Sequence, residues 1–114
     1  MGLTETAARE QGIEYEKAVF PWSASGRALG LARDEGMTKL LFEPETNRLL
    51  GAGMVGVNAG DLIAETVHAL EMGSDAEDIS LTIHPHPTLS ETISEAAESL
   101  HGLATHLYKV RAKR

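Results

Sequence analysis

Pro85 and Pro87 stand one residue apart, and neither a helix interior nor a central strand can pass through them. Each ring fixes its own φ and pushes the preceding residue towards extended backbone. His84-Pro85-His86-Pro87 is therefore a stiff link that aims the side chain of His86. Directly after it, Thr88-Leu89-Ser90-Glu91 carries the signal of a helix start. Leu89, Ile93, Ala96, Ala97 and Leu100 then recur at helical spacing. This predicts a last helix from Thr88 to about Leu100, interrupted by Gly102.

Upstream of the link, helical and strand signals alternate. Thr4 as N-cap, Glu5 in the first turn and Gly12 as stop predict a short helix. Ile13 to Trp22 alternates, with Ala18 and Phe20 on one face and Lys17 and Val19 on the other, which predicts a strand closed by Pro21. Ser23 to Asp34 reads as a loop with one helical turn around Arg27 to Arg33. Met37 to Phe42 and Leu49 to Val57 read as a hairpin about the turn residues Glu43 to Asn47. Gly51, Gly53 and Gly56 predict that another backbone, or bulk, packs close over the second of these strands. A long helix starts in Asn58-Ala59-Gly60-Asp61 and carries Leu62, Ile63, Thr66, Val67, Leu70 and Met72 at helical spacing up to Gly73. Asp75 to Ile79 reads as one further helical turn. The order predicts one α+β domain, an antiparallel sheet of about four or five strands backed by helices.

Composition excludes several kinds of chemistry. The chain has no Cys, so it offers no disulfide, no thiolate metal site and no thiol nucleophile. A net charge of −7 opposes binding to nucleic acid phosphates. No apolar run is long enough to span a bilayer and no signal peptide is evident. Neither Gly-x-Gly-x-x-Gly nor a Walker loop is present. Lys109 to Arg114 reads as a short solvated basic tail, Trp22 as a packing residue, and Arg27 and Arg33 as surface or interface charges.

Glu91 follows His86 by five residues, and that spacing permits two readings. In one, Thr88 and Glu91 form a capping box and the acid bonds the backbone at the helix start. In the other, Glu91 reaches back to one nitrogen of His86 and leaves the second free to exchange a proton, the arrangement of a carboxylate-oriented general base. The two are compatible, since a helix N-terminus favours an ionised carboxylate. His84 and His86 also have the alternate spacing of a metal pair, which His68, His101 or His106 would have to complete.

The string His84-Pro85-His86-Pro87-Thr88-Leu89-Ser90-Glu91 resembles the C-terminal signature of the dihydrolipoyl dehydrogenases, members of the pyridine nucleotide–disulfide oxidoreductase family. The resemblance extends to Phe20-Pro21-Trp22-Ser23-Ala24-Ser25-Gly26-Arg27-Ala28, to Glu35-Gly36-Met37-Thr38-Lys39, to Leu50-Gly51-Ala52 with Ala59-Gly60-Asp61, and to Asp75-Ala76-Glu77-Asp78-Ile79. Glutathione reductases share the His-Pro-Thr core but lack the first histidine, so a relative of theirs is the alternative. Pro85 stands where the family commonly has alanine.

The resemblance implies that residues 1–114 are a C-terminal interface domain whose first strand is truncated, with the FAD and NAD domains outside this chain. It implies a homodimer in which His86 is the base for a dihydrolipoyl thiol at the partner's active site, oriented by Glu91. Backbone at His84, Pro85 and Pro87 would lie near the partner's flavin, and the His86–Pro87 peptide would be cis. The implied cofactors are FAD and NAD, and the implied partner is the lipoyl-bearing subunit of a 2-oxo acid dehydrogenase complex. The implied compartment is the cytoplasm of a bacterium or the mitochondrial matrix. An association-only module is the runner-up.

Overall fold

In a computed structural model, residues 1–106 are described. The basic run Lys109 to Arg114 lies outside them. The elements are α1 (Glu5–Gln11), β1 (Glu16–Pro21), a 3-10 turn (Trp22–Ala24), α2 (Gly26–Gly30), β2 (Met37–Phe42), β3 (Leu49–Val55), α3 (Ala59–Glu71), α4 (Ala76–Leu81) and α5 (Glu91–Leu100). The strands form one antiparallel sheet in the order β1-β2-β3.

Three strands, not four or five, make up the sheet among the described residues. A fourth is present only in rudiment along β3. Leu3 N–H donates to Leu50 O at 2.9 Å, and Met1 and Ala52 exchange hydrogen bonds of 2.8 and 3.0 Å. Only Gly2 and Gly51 form a bridge there, because Gly2 adopts φ 65° and α1 begins at Glu5. Of the three expected close-packing glycines, Gly51 of β3 answers to this approach and Gly56, just past β3, to Trp22. A Cβ on Gly51 would sit 2.1 Å from Leu3 O, and one on Gly56 would sit 2.2 Å from the Trp22 ring, whereas Gly53 faces open space.

The helix starts follow their caps. Thr4 Oγ1 accepts from Ala7 N–H, and Gly12 closes α1 at φ 66°. Asp75 and Asp78 form a reciprocal capping box that opens α4. Glu5 fastens α1 to the sheet, receiving Lys39 at 2.8 Å, Lys17 at 3.0 Å and the Tyr15 hydroxyl at 3.1 Å. Lys39 first, then Lys17, hold its carboxyl down at about 2.

The core lies between the sheet and α4–α5. Ala18 and Phe20 from β1, Leu40 and Phe42 from β2, and Leu49 and Ala52 from β3 meet Ile79, Ile93, Ala96 and Ala97. The Ala18–Phe20 face of the alternation in β1 is thus the buried one. α3 packs on β3, with Thr66 buried and Ile63 and Leu70 partly so. Its other apolar residues, Val67 and Met72, are 40% and 69% exposed.

Candidate functional site

α5 is buried almost all round, including its polar residues Thr92, Ser94, Glu95 and Ser99. Its apolar stripe falls where the spacing places it, but its helix starts three residues later than expected, at Glu91. Thr88 to Ser90 form a tight turn instead. Thr88 Oγ1 donates to Pro85 O at 2.7 Å, and Ile93 N–H reaches back to Ser90 O. A hydrogen-bond chain ties this turn to the core. The indole N–H of fully buried Trp22 donates to Thr38 Oγ1 at 3.0 Å. Thr38 and Thr92 hydroxyls lie 2.8 Å apart, and Thr92 Oγ1 donates to Leu89 O at 2.7 Å. Each hydroxyl has one proton, so Thr38 must donate to Thr92.

Glu91 makes contacts in both directions that its spacing permits. Oε2 accepts from Thr88 N–H at 2.8 Å and Glu91 N–H returns to Thr88 Oγ1 at 3.3 Å, the bond pattern of a capping box set in the turn before the helix, whose own N-cap Ser90 makes no side-chain cap bond. Oε1 lies 2.8 Å from His86 Nδ1. A carboxylate only accepts, so Nδ1 carries the proton of the neutral ring and Nε2 presents a lone pair. The His86 side chain is 66% exposed and Glu91 only 21%, so a solvent-facing ring is held by a sheltered acid.

Two contacts fix the proline link. The His86–Pro87 peptide is cis, and the Pro87 carbonyl accepts Arg27 Nε and an Arg27 terminal nitrogen at 3.0 and 2.8 Å. Arg27 is an exposed charge, as expected of a surface or interface residue, and it also holds the loop through Pro87. Its signal was the short α2, whose N-cap Ser25 aims Arg27 at a loop sixty residues on. Arg33 does behave as a surface charge, paired with Glu35 at 2.7 Å.

His84 anchors the other end. Its Nδ1 lies 2.8 Å from Thr82 O and its Nε2 meets the carboxylate of Glu65 from α3. The Thr82 carbonyl only accepts, so Nδ1 donates to it and Nε2 faces the Glu65 carboxyl. The Glu65 bond raises its pKa, with burial opposing and the Thr82 carbonyl adding to the rise. Glu65 carried no signal in the sequence beyond its place on a helix. The two imidazoles of the possible metal pair thus turn to different acids, and among the described residues no three metal-ligating groups converge. Gly26, Ser25, Ala24 and Phe20 close a small cleft beside His86, Glu91 and Thr92.

The sequence and the fold have counterparts among known proteins. Residues 1–97 match the family model of the pyridine nucleotide-disulphide oxidoreductase dimerisation domain. The chain belongs to this family. As a dimerisation domain of the pyridine nucleotide-disulphide oxidoreductases, it is similar to the dihydrolipoyl dehydrogenases. It is 52% identical over 114 residues to that of Vibrio cholerae, covering 100% of this chain and 24% of the relative. It is 54% identical over 107 residues to that of Thermus scotoductus, covering 94% and 23%. The chain spans about a quarter of the length of the curated relatives it matches. Among solved structures, the fold matches LpdA from Mycobacterium tuberculosis with a TM-score of 0.83 at 22% identity, covering 88% of this chain and 22% of that one. It also matches the HOCl-induced flavoprotein disulfide reductase RclA from Escherichia coli with a TM-score of 0.79 at 27% identity, covering 85% and 22%. The α+β dimerisation-domain fold is thereby shared with flavoprotein disulfide reductases.

Proposed function

We propose that this domain supplies the acid–base group of a dihydrolipoyl dehydrogenase, acting as half of a homodimer on the partner's active site. The observation that carries the reading is the bond from His86 Nδ1 to Glu91, which leaves Nε2 as the basic atom on a clamped loop. His86 Nε2 takes the proton of a dihydrolipoyl thiol. The thiolate attacks one sulfur of a redox disulfide, the S–S bond breaks, and the second sulfur leaves as thiolate. Glu91 keeps the ring in the productive tautomer and faces the charge formed when it is protonated.

The chain has no cysteine and no dinucleotide fingerprint, so the disulfide, FAD and NAD would be held by the rest of a longer protein. When bound there, the flavin supplies the passage of electrons from the reduced disulfide to NAD. Backbone at His84, Pro85 and Pro87 would lie against the partner's flavin. Arg27 on Pro87 O and Thr88 on Pro85 O support this, since they hold that backbone rigid. The lipoyl group would arrive on a subunit of a 2-oxo acid dehydrogenase complex.

The test is His86→Ala in the full-length flavoenzyme. Dihydrolipoamide oxidation should fall by about two to four orders of magnitude, the usual worth of a positioned base, with FAD still bound. Turnover near that of the unaltered enzyme would leave only an association module.

A further inference from the structure

Downstream of α5 the chain doubles back over the helix. Gly102 adopts φ 74°, and Leu103 N–H donates to Glu98 O at 3.0 Å, the closure of a helix end. Two acids of α5 then hold the returning strand of chain. Glu98 accepts from the Thr105 backbone. Glu95 commits both oxygens to His106: Oε1 to the ring Nδ1 at 2.5 Å, Oε2 to the backbone N–H at 3.3 Å. Glu95 is only 7% exposed, so this is a built contact and not a chance surface pairing.

The contact sets one imidazole beside another. The rings of His106 and His86 are parallel within 1°, with centroids 6.3 Å apart, inside the range where aromatic pairs interact. Both border the same cleft. Glu91 and Glu95 are one helical turn apart, and each takes the Nδ1 of one ring. The second pair repeats the first beside it. Glu98 on α5 lies within electrostatic reach of His106, and among the described residues β1, the 3-10 turn and α2 line the cleft with Phe20, Ala24, Ser25 and Gly26.

We propose that His106, held by Glu95, is a positioning residue for His86, limiting the swing of its ring and placing a second titratable ring beside it. This rests on the reading of His86 as the base. Restraint matters because His86 is exposed and only one of its nitrogens is tied.

The experiment compares His106→Ala, His106→Asn and Glu95→Gln in the full-length flavoenzyme, each alone and with His86→Ala. Asparagine places an amide N–H near the position of Nδ1, so it keeps the bond to Glu95 while removing the ring. Both His106 variants should lower kcat about tenfold with little change in KM. Flavin absorbance and dimer mass should be unchanged in both. In the His86→Ala background the two variants should add nothing. Full recovery in His106→Asn beside loss in His106→Ala would reduce the pair to a structural latch and overturn the proposal. Wild-type kcat in both variants would overturn it too. If His86→Ala itself leaves turnover intact, the base assignment fails, which is a separate outcome.

Discussion

At the scale of single residues, one carboxylate does two jobs because its two oxygens point to different partners. Glu91 accepts from Thr88 N–H in the turn before α5 with one oxygen and faces His86 Nδ1 with the other. Glu91→Gln keeps an oxygen for one partner and loses the charge that serves both. We expect a fall in dihydrolipoamide turnover smaller than that of His86→Ala, together with a displaced pH–rate profile in the full-length enzyme. A loss of thermal stability alone, with rate and profile untouched, would leave only the capping role. His84 offers a second expectation, on stability. Its pKa is raised in the folded state, first by Glu65. A raised folded pKa stabilises fully below the unfolded value, about 6.5, and that stabilisation is lost as pH climbs through the folded value. The melting temperature of this chain should therefore decline above about pH 6.5, and Glu65→Gln should flatten that decline. A slope unchanged in Glu65→Gln would show that another group titrates.

At the scale of elements, the buried chain Trp22–Thr38–Thr92–Leu89 connects β1's end, β2 and the turn that presents Glu91. Thr92→Val keeps the shape but strands the Thr38 hydroxyl in the core. It should cost about 1–3 kcal/mol in chemical denaturation, the usual penalty for an unsatisfied buried donor. A cost near zero would mean that Thr38 finds another acceptor. This chain also marks the boundary of what the sequence makes legible. The Thr4 cap and Gly12 stop of α1, the β2–β3 hairpin and the alternation of β1 follow from local spacing, and so they are legible. The α5 stripe was readable for the same reason. Arg27 on Pro87, Glu65 on His84 and Glu95 on His106 join residues far apart in the chain or across a reversed turn, and no local pattern encodes them. The strand count failed for a related reason. Met1 to Leu3 make ladder bonds to β3, but one left-handed glycine prevents an extended strand.

At the scale of the whole molecule, the core is satisfied while one set of apolar residues is not. Val67 and Met72 on α3, Leu81 at the end of α4 and Ile83 in the link are 40%, 69%, 71% and 95% exposed. Ile83 directly precedes the loop that carries the candidate base, so a surface that covered it would also bring His86 against a second subunit. A dimerisation domain needs such a surface, and a stable interface buries on the order of 1,200–2,000 Å². The isolated chain, net charge −7, should therefore sediment as a dimer in physiological salt, where that repulsion is screened. Ile83→Glu places a charge in the apolar part of the contact, and Met72→Glu does so on the neighbouring helix. Each should weaken self-association at least tenfold, measured by sedimentation equilibrium, with the circular dichroism of the monomer preserved because neither residue belongs to the core. A chain that is monomeric at high concentration, or dimers indifferent to both substitutions, would place the subunit contact on another face and separate it from the His86 loop.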